Sequence, residues 1–174
     1  GLWMPLSRAH GKTPREPWQY GDMALKEVKK WINFRHRLVP YLYHTACQSH
    51  QSGIPMIRPL VMEYPKDPIA KIQNLSYMLG DALLISPGFD RDEYELYLPE
   101  GRWQDIESKE VYEGMTFVHI ENKAFADGGT SLRVFQKEGT SIPLFAQKEV
   151  LHVPAQLWKQ EDLEFMTFQK KDVD

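Results

Sequence analysis

The side chains best suited to chemistry lie in one short segment near the N-terminus. Arg8, His10, Glu16 and Trp18 fall within residues 8–21, where prolines and glycines break any regular element. Arginine is a permanently charged fork of donors, histidine both donates and accepts, and an indole ring is an apolar platform. Such a set suits the hydroxyl groups and apolar faces of a sugar ring. The residues alone leave a second interpretation open, a structural loop in which an arginine and a glutamate pair.

Other chemistries have less support in the sequence. His36, His44 and His50 do not have the spacing of metal ligands, and no Cys/His cluster occurs, so no metal site is expected. The single cysteine, Cys47, excludes an intramolecular disulfide, and with no identifiable base partner it is predicted to be an inert thiol. No phosphate-binding loop or other cofactor motif occurs. Candidates for acid–base work are numerous, and spacing singles out no pair: Glu63, Asp67, Asp81, Asp90 and Asp92.

The composition is that of a folded chain. Of 174 residues, 42% are hydrophobic and 26% are charged, which argues against wholesale disorder. The 21 basic and 24 acidic residues give a net charge of −3, so a strongly basic nucleic-acid binder is not expected. No apolar run reaches about 18 residues, so no membrane span is expected. The first residues lack the pattern of a signal peptide, and we expect the chain to begin within a longer protein.

The first half of the sequence has helical and strand patterns. A long helix is predicted from Asp22, its N-cap, to a glycine stop at Gly53. Pro40 lies inside this pattern and predicts a kink or two abutting helices. The apolar segment 54–62 predicts a buried strand of a parallel sheet. Asp67 and Pro68 then predict a second helix, over 68–79.

The period of the pattern changes after residue 81. Short apolar strands separated by glycine-bearing turns predict an antiparallel β-sandwich over residues 82–150. Residues 151–174 contain strand-like pieces and a charged end. The predicted strands lie at 82–86, 94–98, 102–106, 116–120, 132–135 and 142–145.

A series of short motifs, in order along the chain, resembles glycoside hydrolase family 31. The resemblance covers about residues 3–147, and it is the ordered series rather than any one motif that makes it specific. The motifs are Ser7–Gly11, Glu16–Trp18, Tyr20–Gly21, Arg37–Tyr43, Gly53–Pro55, Arg58–Leu60, Glu63–Asp67, Tyr77–Asp81, Leu83–Pro87, Tyr97–Trp103 and Glu138–Pro143.

The resemblance implies a fold that is α/β and then all-β. The last βα units of an incomplete (β/α)8 TIM barrel would occupy residues 1–81, with 55–62 as the eighth strand and 68–79 as its helix. A proximal antiparallel β-sandwich would occupy 82–150. Residues 151–174 would be a tail or the start of a distal β-domain.

The resemblance also implies a function. The family comprises retaining α-glycosidases, mainly α-glucosidases and α-xylosidases, which act by double displacement. The two catalytic aspartates of the family would precede Gly1, so no catalytic residue is assigned and the chain alone is expected to be inactive. His10 is expected to hydrogen-bond the sugar, and Arg8 to shape the pocket. The sequences of Ser7–Gly11 and Leu98–Trp103 are slightly closer to those of the α-xylosidase-like members of the family.

Two expectations about partners follow. The substrate would be an α-linked oligosaccharide or glycoside, with no nucleic acid, membrane or cofactor involved. The strand edges and helix faces of a partial barrel would be bare, so the chain is expected to self-associate through residues 1–80. A competing hypothesis is a stand-alone carbohydrate-binding or structural sandwich, in which Trp103, Tyr94 or Tyr97 binds sugar.

Overall fold

The chain folds into two compact units, each of which draws on two stretches of sequence. A computed structural model describes residues 3–88, 93–121, 132–146 and 159–170. The first unit comprises Gly1–Gly53 and Pro143–Met166, and the second comprises Ile54–Ile142 and Thr167–Asp174. In the described part of the chain, no helix is long and apolar enough to cross a membrane.

Two consecutive helices dominate the first unit. Helix α1 spans Asp22–Arg37, and helix α2 spans Val39–Ser52. Pro40 lies at the start of α2, where its missing N–H costs nothing, so the prediction of two abutting helices is confirmed. Gly53 follows α2 in the left-handed conformation, with a φ of 76°, and its N–H donates to the carbonyl of Ser49 (2.8 Å).

The predicted N-cap of α1 is wrong by one residue. Gly21 is the N-cap, with a φ of 90°, and Asp22 is the first helical residue. The Asp22 side chain makes no capping hydrogen bond, but a carboxylate in the first turn still interacts favourably with the helix dipole. A short 3₁₀ helix, Pro17–Tyr20, leads into this start.

Short strands dominate the second unit, together with one short helix, α3, at Leu60–Glu63. The strands of the second unit are β1 (Ile57–Pro59), β2 (Tyr77–Leu79), β3 (Leu83–Pro87), β4 (Glu93–Leu98), β5 (Arg102–Asp105), β6 (Val111–Glu113), β7 (Thr116–Glu121) and β8 (Leu132–Lys137). Two further strands, β9 (Thr140–Phe145) and β10 (Leu163–Phe168), each have residues in both units. Six of them form one sheet in the order β1-β2-β3-β8-β5-β6, while β4 pairs with β7 and β9 with β10.

The core of the second unit lies between the six-stranded sheet and the β4–β7 pair. Apolar side chains from both contribute to one buried cluster. This arrangement agrees with the predicted sandwich. Members of the cluster include Tyr94, Leu96, Tyr97, Leu98, Trp103, Ile120 and Phe135.

Two predictions for residues 54–79 are wrong. The apolar segment 54–62 contains only the three-residue strand β1, which pairs antiparallel with β2, and α3 follows directly. The predicted helix over 68–79 is a series of turns that ends in β2. Asp67 does cap this start, because its Oδ1 accepts the N–H groups of Ile69 (2.8 Å) and Ala70 (3.1 Å). Pairing of β2 with both β1 and β3 outweighs the local helix signal.

The predicted domain limits, at residues 81 and 150, stay predictions. The β2–β3 pair spans the first limit, since Leu79 pairs with Leu83. Strand β10 lies beyond the second limit and pairs with β9.

Candidate functional site

The loop that follows the first residues is open to solvent. Arg8 and His10 are both exposed, and the described residues offer neither of them a hydrogen bond or an ion pair. A shallow hollow of about 270 Å³ lies beside His10, lined by residues between Ala9 and Pro17, with Arg8 outside the lining. The predicted site residues therefore share one exposed loop, and His10 borders its hollow.

The pairing of an arginine with a glutamate, which the second interpretation of the loop requires, is not seen between Arg8 and Glu16. Arg15 instead donates through Nη1 to the hydroxyl of Tyr20 (3.3 Å). The carbonyl of Glu16 accepts the N–H of Gln19 (2.9 Å) within the 3₁₀ helix. Trp18, on that helix, is 61% exposed, so its ring is accessible.

Contacts of α1 hold both ends of this loop in place. The rings of Trp3 and Phe34 lie with their centroids 5.5 Å apart, and Trp31 is 5.5 Å from Trp3 in an edge-to-face arrangement. Arg35 donates through Nη2 to the carbonyls of Met4 (3.0 Å) and Pro5 (2.8 Å). The chain before the loop is thus fixed against α1, which itself begins directly after the loop.

Aromatic side chains of the sandwich are core residues. Trp103, Tyr97 and Tyr94 are 0%, 1% and 6% exposed. The Trp103 indole N–H donates to the carbonyl of Pro99 (2.8 Å), which satisfies the polar atom of this buried ring. These three residues therefore form no stacking surface, and the proposal that they bind sugar is wrong.

Carboxylates that were candidates for acid–base work have structural partners. Glu63 accepts a hydrogen bond from Arg58 Nη1 (2.5 Å), and Asp67 accepts one from the hydroxyl of Tyr97 (2.6 Å). Both line a cavity of about 420 Å³, to which Glu100 and Met115 also contribute. Asp81 is exposed, and Asp90 and Asp92 lie outside the described residues.

Histidine and cysteine side chains form no cluster in the described part of the chain. No group of three His, Cys, Asp or Glu side chains there could hold a metal ion. His36 donates from Nδ1 to the carbonyl of Ile32 (2.9 Å), a contact within α1. Cys47 is a free, half-buried thiol on α2.

Family models match the chain in two consecutive stretches. The glycosyl hydrolases family 31 TIM-barrel domain matches residues 1–45, and the glycosyl hydrolase family 31 C-terminal domain matches residues 53–149. The chain belongs to glycosyl hydrolase family 31. Membership in family 31 confirms the resemblance and the predicted fold class, the end of a TIM barrel followed by a β-rich C-terminal domain.

Three proteins that resemble this family 31 chain carry the names of carbohydrate-active enzymes. The chain is 33% identical over 144 residues, 80% of its length, to a 1,6-alpha-glucosyltransferase from Sporosarcina globispora. It is also 33% identical over 150 residues, 82% of its length, to the human neutral alpha-glucosidase AB. A cycloalternan-forming enzyme from Listeria monocytogenes, solved with its pentasaccharide substrate, superposes with a TM-score of 0.76 at 30% identity over 89% of this chain.

The family 31 chain spans a small part of each relative. It covers 11% of the glucosyltransferase, 15% of the glucosidase and 15% of the cycloalternan-forming enzyme.

Proposed function

We propose that this chain is part of a longer retaining α-glycosidase and contributes a sugar-binding loop to it. The observation that carries the proposal is the position of Arg8 and His10, which are exposed and have no partner among the described residues, within the stretch that matches the family's barrel domain. Barrel enzymes bind substrates with the loops that follow their strands. The names of the relatives support an α-linked glucoside as substrate.

In the proposed reaction, two carboxyl groups outside these 174 residues carry out the bond changes. One attacks the anomeric carbon and forms a glycosyl–enzyme ester, while the other protonates the departing oxygen. The second group then removes a proton from water, which attacks the anomeric carbon and releases the sugar. Because neither group is assigned to this chain, the isolated chain is expected to be inactive.

His10 would position the sugar rather than react with it. Its imidazole is exposed and has no partner among the described residues, so it can hydrogen-bond to a sugar hydroxyl. A hydrogen bond that strengthens as the ring becomes oxocarbenium-like lowers the barrier, and correct orientation lowers it further. Arg8, two residues earlier, would supply donors at the rim of the same loop.

Replacing His10 with alanine in the full-length enzyme tests this proposal. Loss of a transition-state hydrogen bond should lower kcat/KM about 10- to 1000-fold. Hydrolysis of an aryl α-glucoside and of an aryl α-xyloside is measured, since the sequence of Ser7–Gly11 does not decide which sugar the enzyme accepts. His44→Ala, an exposed histidine on α2, is the matched control and should retain full activity. Equal kinetics for His10→Ala and the parent would refute the assigned role.

A further inference from the structure

A polar cleft of about 290 Å³ lies within the second unit. Four strands contribute to it: Asp105 ends β5, Tyr112 lies on β6, His119 and Glu121 on β7, and Arg133 on β8. The ladder between β5 and β8, in which Asp105 pairs with Phe135, brings Arg133 near Asp105. The cleft is therefore a product of the sheet topology, since its residues are far apart in the sequence.

Arg133 has donors that the described residues do not satisfy. Its Nε is buried and has no hydrogen-bond partner among them. Its Nη1 lies 3.8 Å from Asp105 Oδ2, which is too long for a hydrogen bond. Buried donors in native folds are nearly always paired, so this guanidinium group has donor capacity that the described residues leave unused. Nε is too buried for a ligand to reach, and a ligand oxygen would meet the partly exposed end of the side chain, at Nη1.

The gap between Arg133 and Asp105 fits a hydroxyl group. Asp105 Oδ1 accepts the N–H groups of Glu107 (2.7 Å) and Ser108 (3.1 Å), which fixes the carboxylate in place. A hydroxyl oxygen lying beside this pair, about 2.8 Å from both Nη1 and Oδ2, would accept from the first and donate to the second. A simple anion or cation could not make both bonds.

The charges around the cleft also favour a neutral ligand. His119 donates a hydrogen bond from Nδ1 to the Glu95 carboxylate (2.8 Å), and this bond, with the nearby Glu93 and Glu121 carboxylates, raises the pKa of His119 despite the opposing effect of desolvation. Groups of both signs therefore border the cleft, so an ion of either sign meets a like charge.

Apolar atoms are also present at the cleft. Ile120 is 5% exposed and lines it, and the half-buried ring of Tyr112 lies beside it. A small number of convergent polar groups beside apolar lining atoms is typical of sites that bind small molecules. A pyranose ring has both a hydroxyl edge and apolar C–H faces, and it matches this combination.

We propose that this cleft binds a sugar, with one sugar hydroxyl bridging Arg133 and Asp105. The binding uses neither His10 nor Arg8 and goes beyond the glycosidase function proposed above. The hydroxyl chemistry follows from the cleft itself, and only the choice of an α-linked glucose oligosaccharide as probe rests on the proposed function.

Saturation-transfer NMR of the whole chain with isomaltotriose tests the proposal, since it tolerates self-association. The background is the Arg8→Ala/His10→Ala chain, so that the loop contributes no signal. A saturable signal is expected, and Arg133→Lys, which keeps the charge but loses the fork, should weaken Kd roughly tenfold. Arg102→Lys is the matched control, because Arg102 is 20% exposed in the same sheet, against 28% for Arg133, and lies outside the cleft.

Several outcomes decide the matter. No saturable signal at about 50 mM sugar, well above a millimolar Kd, overturns the proposal. Equal affinity for Arg133→Lys and Arg102→Lys also overturns it, as does competition by inorganic phosphate, which would indicate an anion site. If Arg133→Lys lowers the thermal midpoint strongly, Asp105→Asn takes its place and should weaken binding in the same direction. The kinetics of His10→Ala in the full-length enzyme test the role of the loop, and they neither support nor oppose sugar binding in the cleft.

Discussion

At the scale of single residues, Asp67 connects a turn to the core. Its Oδ1 accepts two backbone N–H groups, while its Oδ2 accepts the hydroxyl of Tyr97. Desolvation raises the pKa of Asp67, but these hydrogen bonds outweigh it and lower the pKa below its ordinary value. Burial, together with the bond to the Asp67 carboxylate, raises the pKa of Tyr97 to about 12.

Tyr97→Phe should therefore lower the free energy of unfolding by about 1.5–3 kcal/mol, the range for hydrogen bonds to charged groups. Tyr112→Phe is the control, since Tyr112 donates to Glu110 over the same 2.6 Å at an exposed site and should cost less. Urea unfolding measures both.

Because the pKa of Asp67 is lowered in the folded state, the stabilisation that Asp67 contributes is complete above its unfolded pKa, about 3.9. It is lost as the pH falls through the folded pKa. The loss on acidification should be smaller in Tyr97→Phe, and identical acid profiles would contradict this account.

Residue-scale inference from the sequence is confined to local signals. Arg8 and His10 are two residues apart in a loop, and the structure leaves both exposed. Arg133 and Asp105 gave no signal, because only the pairing of β8 with β5 brings them together. A single sequence does not contain that register in any readable form.

At the scale of elements, the turn before β7 depends on a close approach of two backbone segments. Gly114 donates its N–H to the carbonyl of Gly101 (2.7 Å). A Cβ at Gly114 would overlap the carbonyl oxygens of Pro99 and Gly101, and backbone atoms have no room to move aside.

Gly114→Ala should accordingly destabilise the chain by about 3 kcal/mol or slightly more, the upper end of the range for overpacking, because the backbone atoms cannot move aside. Gly53→Ala provides the comparison: nothing lies within 4 Å of its Cβ position, and only the left-handed φ of 76° opposes it. That strain costs about 1–2 kcal/mol. Thermal unfolding of both variants tests the difference, and a Gly114→Ala midpoint at or above that of Gly53→Ala would contradict it.

Strand patterns in the sequence predicted elements best where burial alternates. Strand β4 follows the alternation of buried Tyr94 and Leu96 with exposed glutamates, and it was predicted within a residue. Asp67 and Pro68 indicate the start of a helix, and the sequence therefore predicts helix through β2. Asp67 does cap a first turn, but no helix follows it. The three residues of β2 become a strand through pairing on both sides, which no local pattern encodes.

At the scale of the whole molecule, the first unit exposes large apolar side chains. Trp18, Tyr20, Met23 and Tyr43 are between 49% and 61% exposed. Large exposed apolar side chains promote association where they form a patch, and self-association of the isolated chain stays a prediction.

Light scattering of the purified chain should therefore give a mass above that of a monomer, together with no hydrolysis of aryl α-glycosides. The double variant Met23→Ser/Tyr43→Ser should shift the mass toward the monomer. Met115→Ser is the control, because Met115 is 67% exposed but lies in the second unit. A monomeric parent chain, or equal effects of the two changes, would contradict the prediction.

The contacts of Arg37 with residues more than 100 positions further along the chain bear on the order of folding during synthesis. Arg37, at the end of α1, donates through Nε to the carbonyl of Phe145 (3.0 Å), 108 residues further on, and forms an ion pair with Glu164. Contacts of such long sequence separation form slowly, and domains tend to fold as they leave the ribosome. Most of the second unit, residues 54–142, emerges between these two points, so a nascent chain can form much of it before Arg37 reaches its partners.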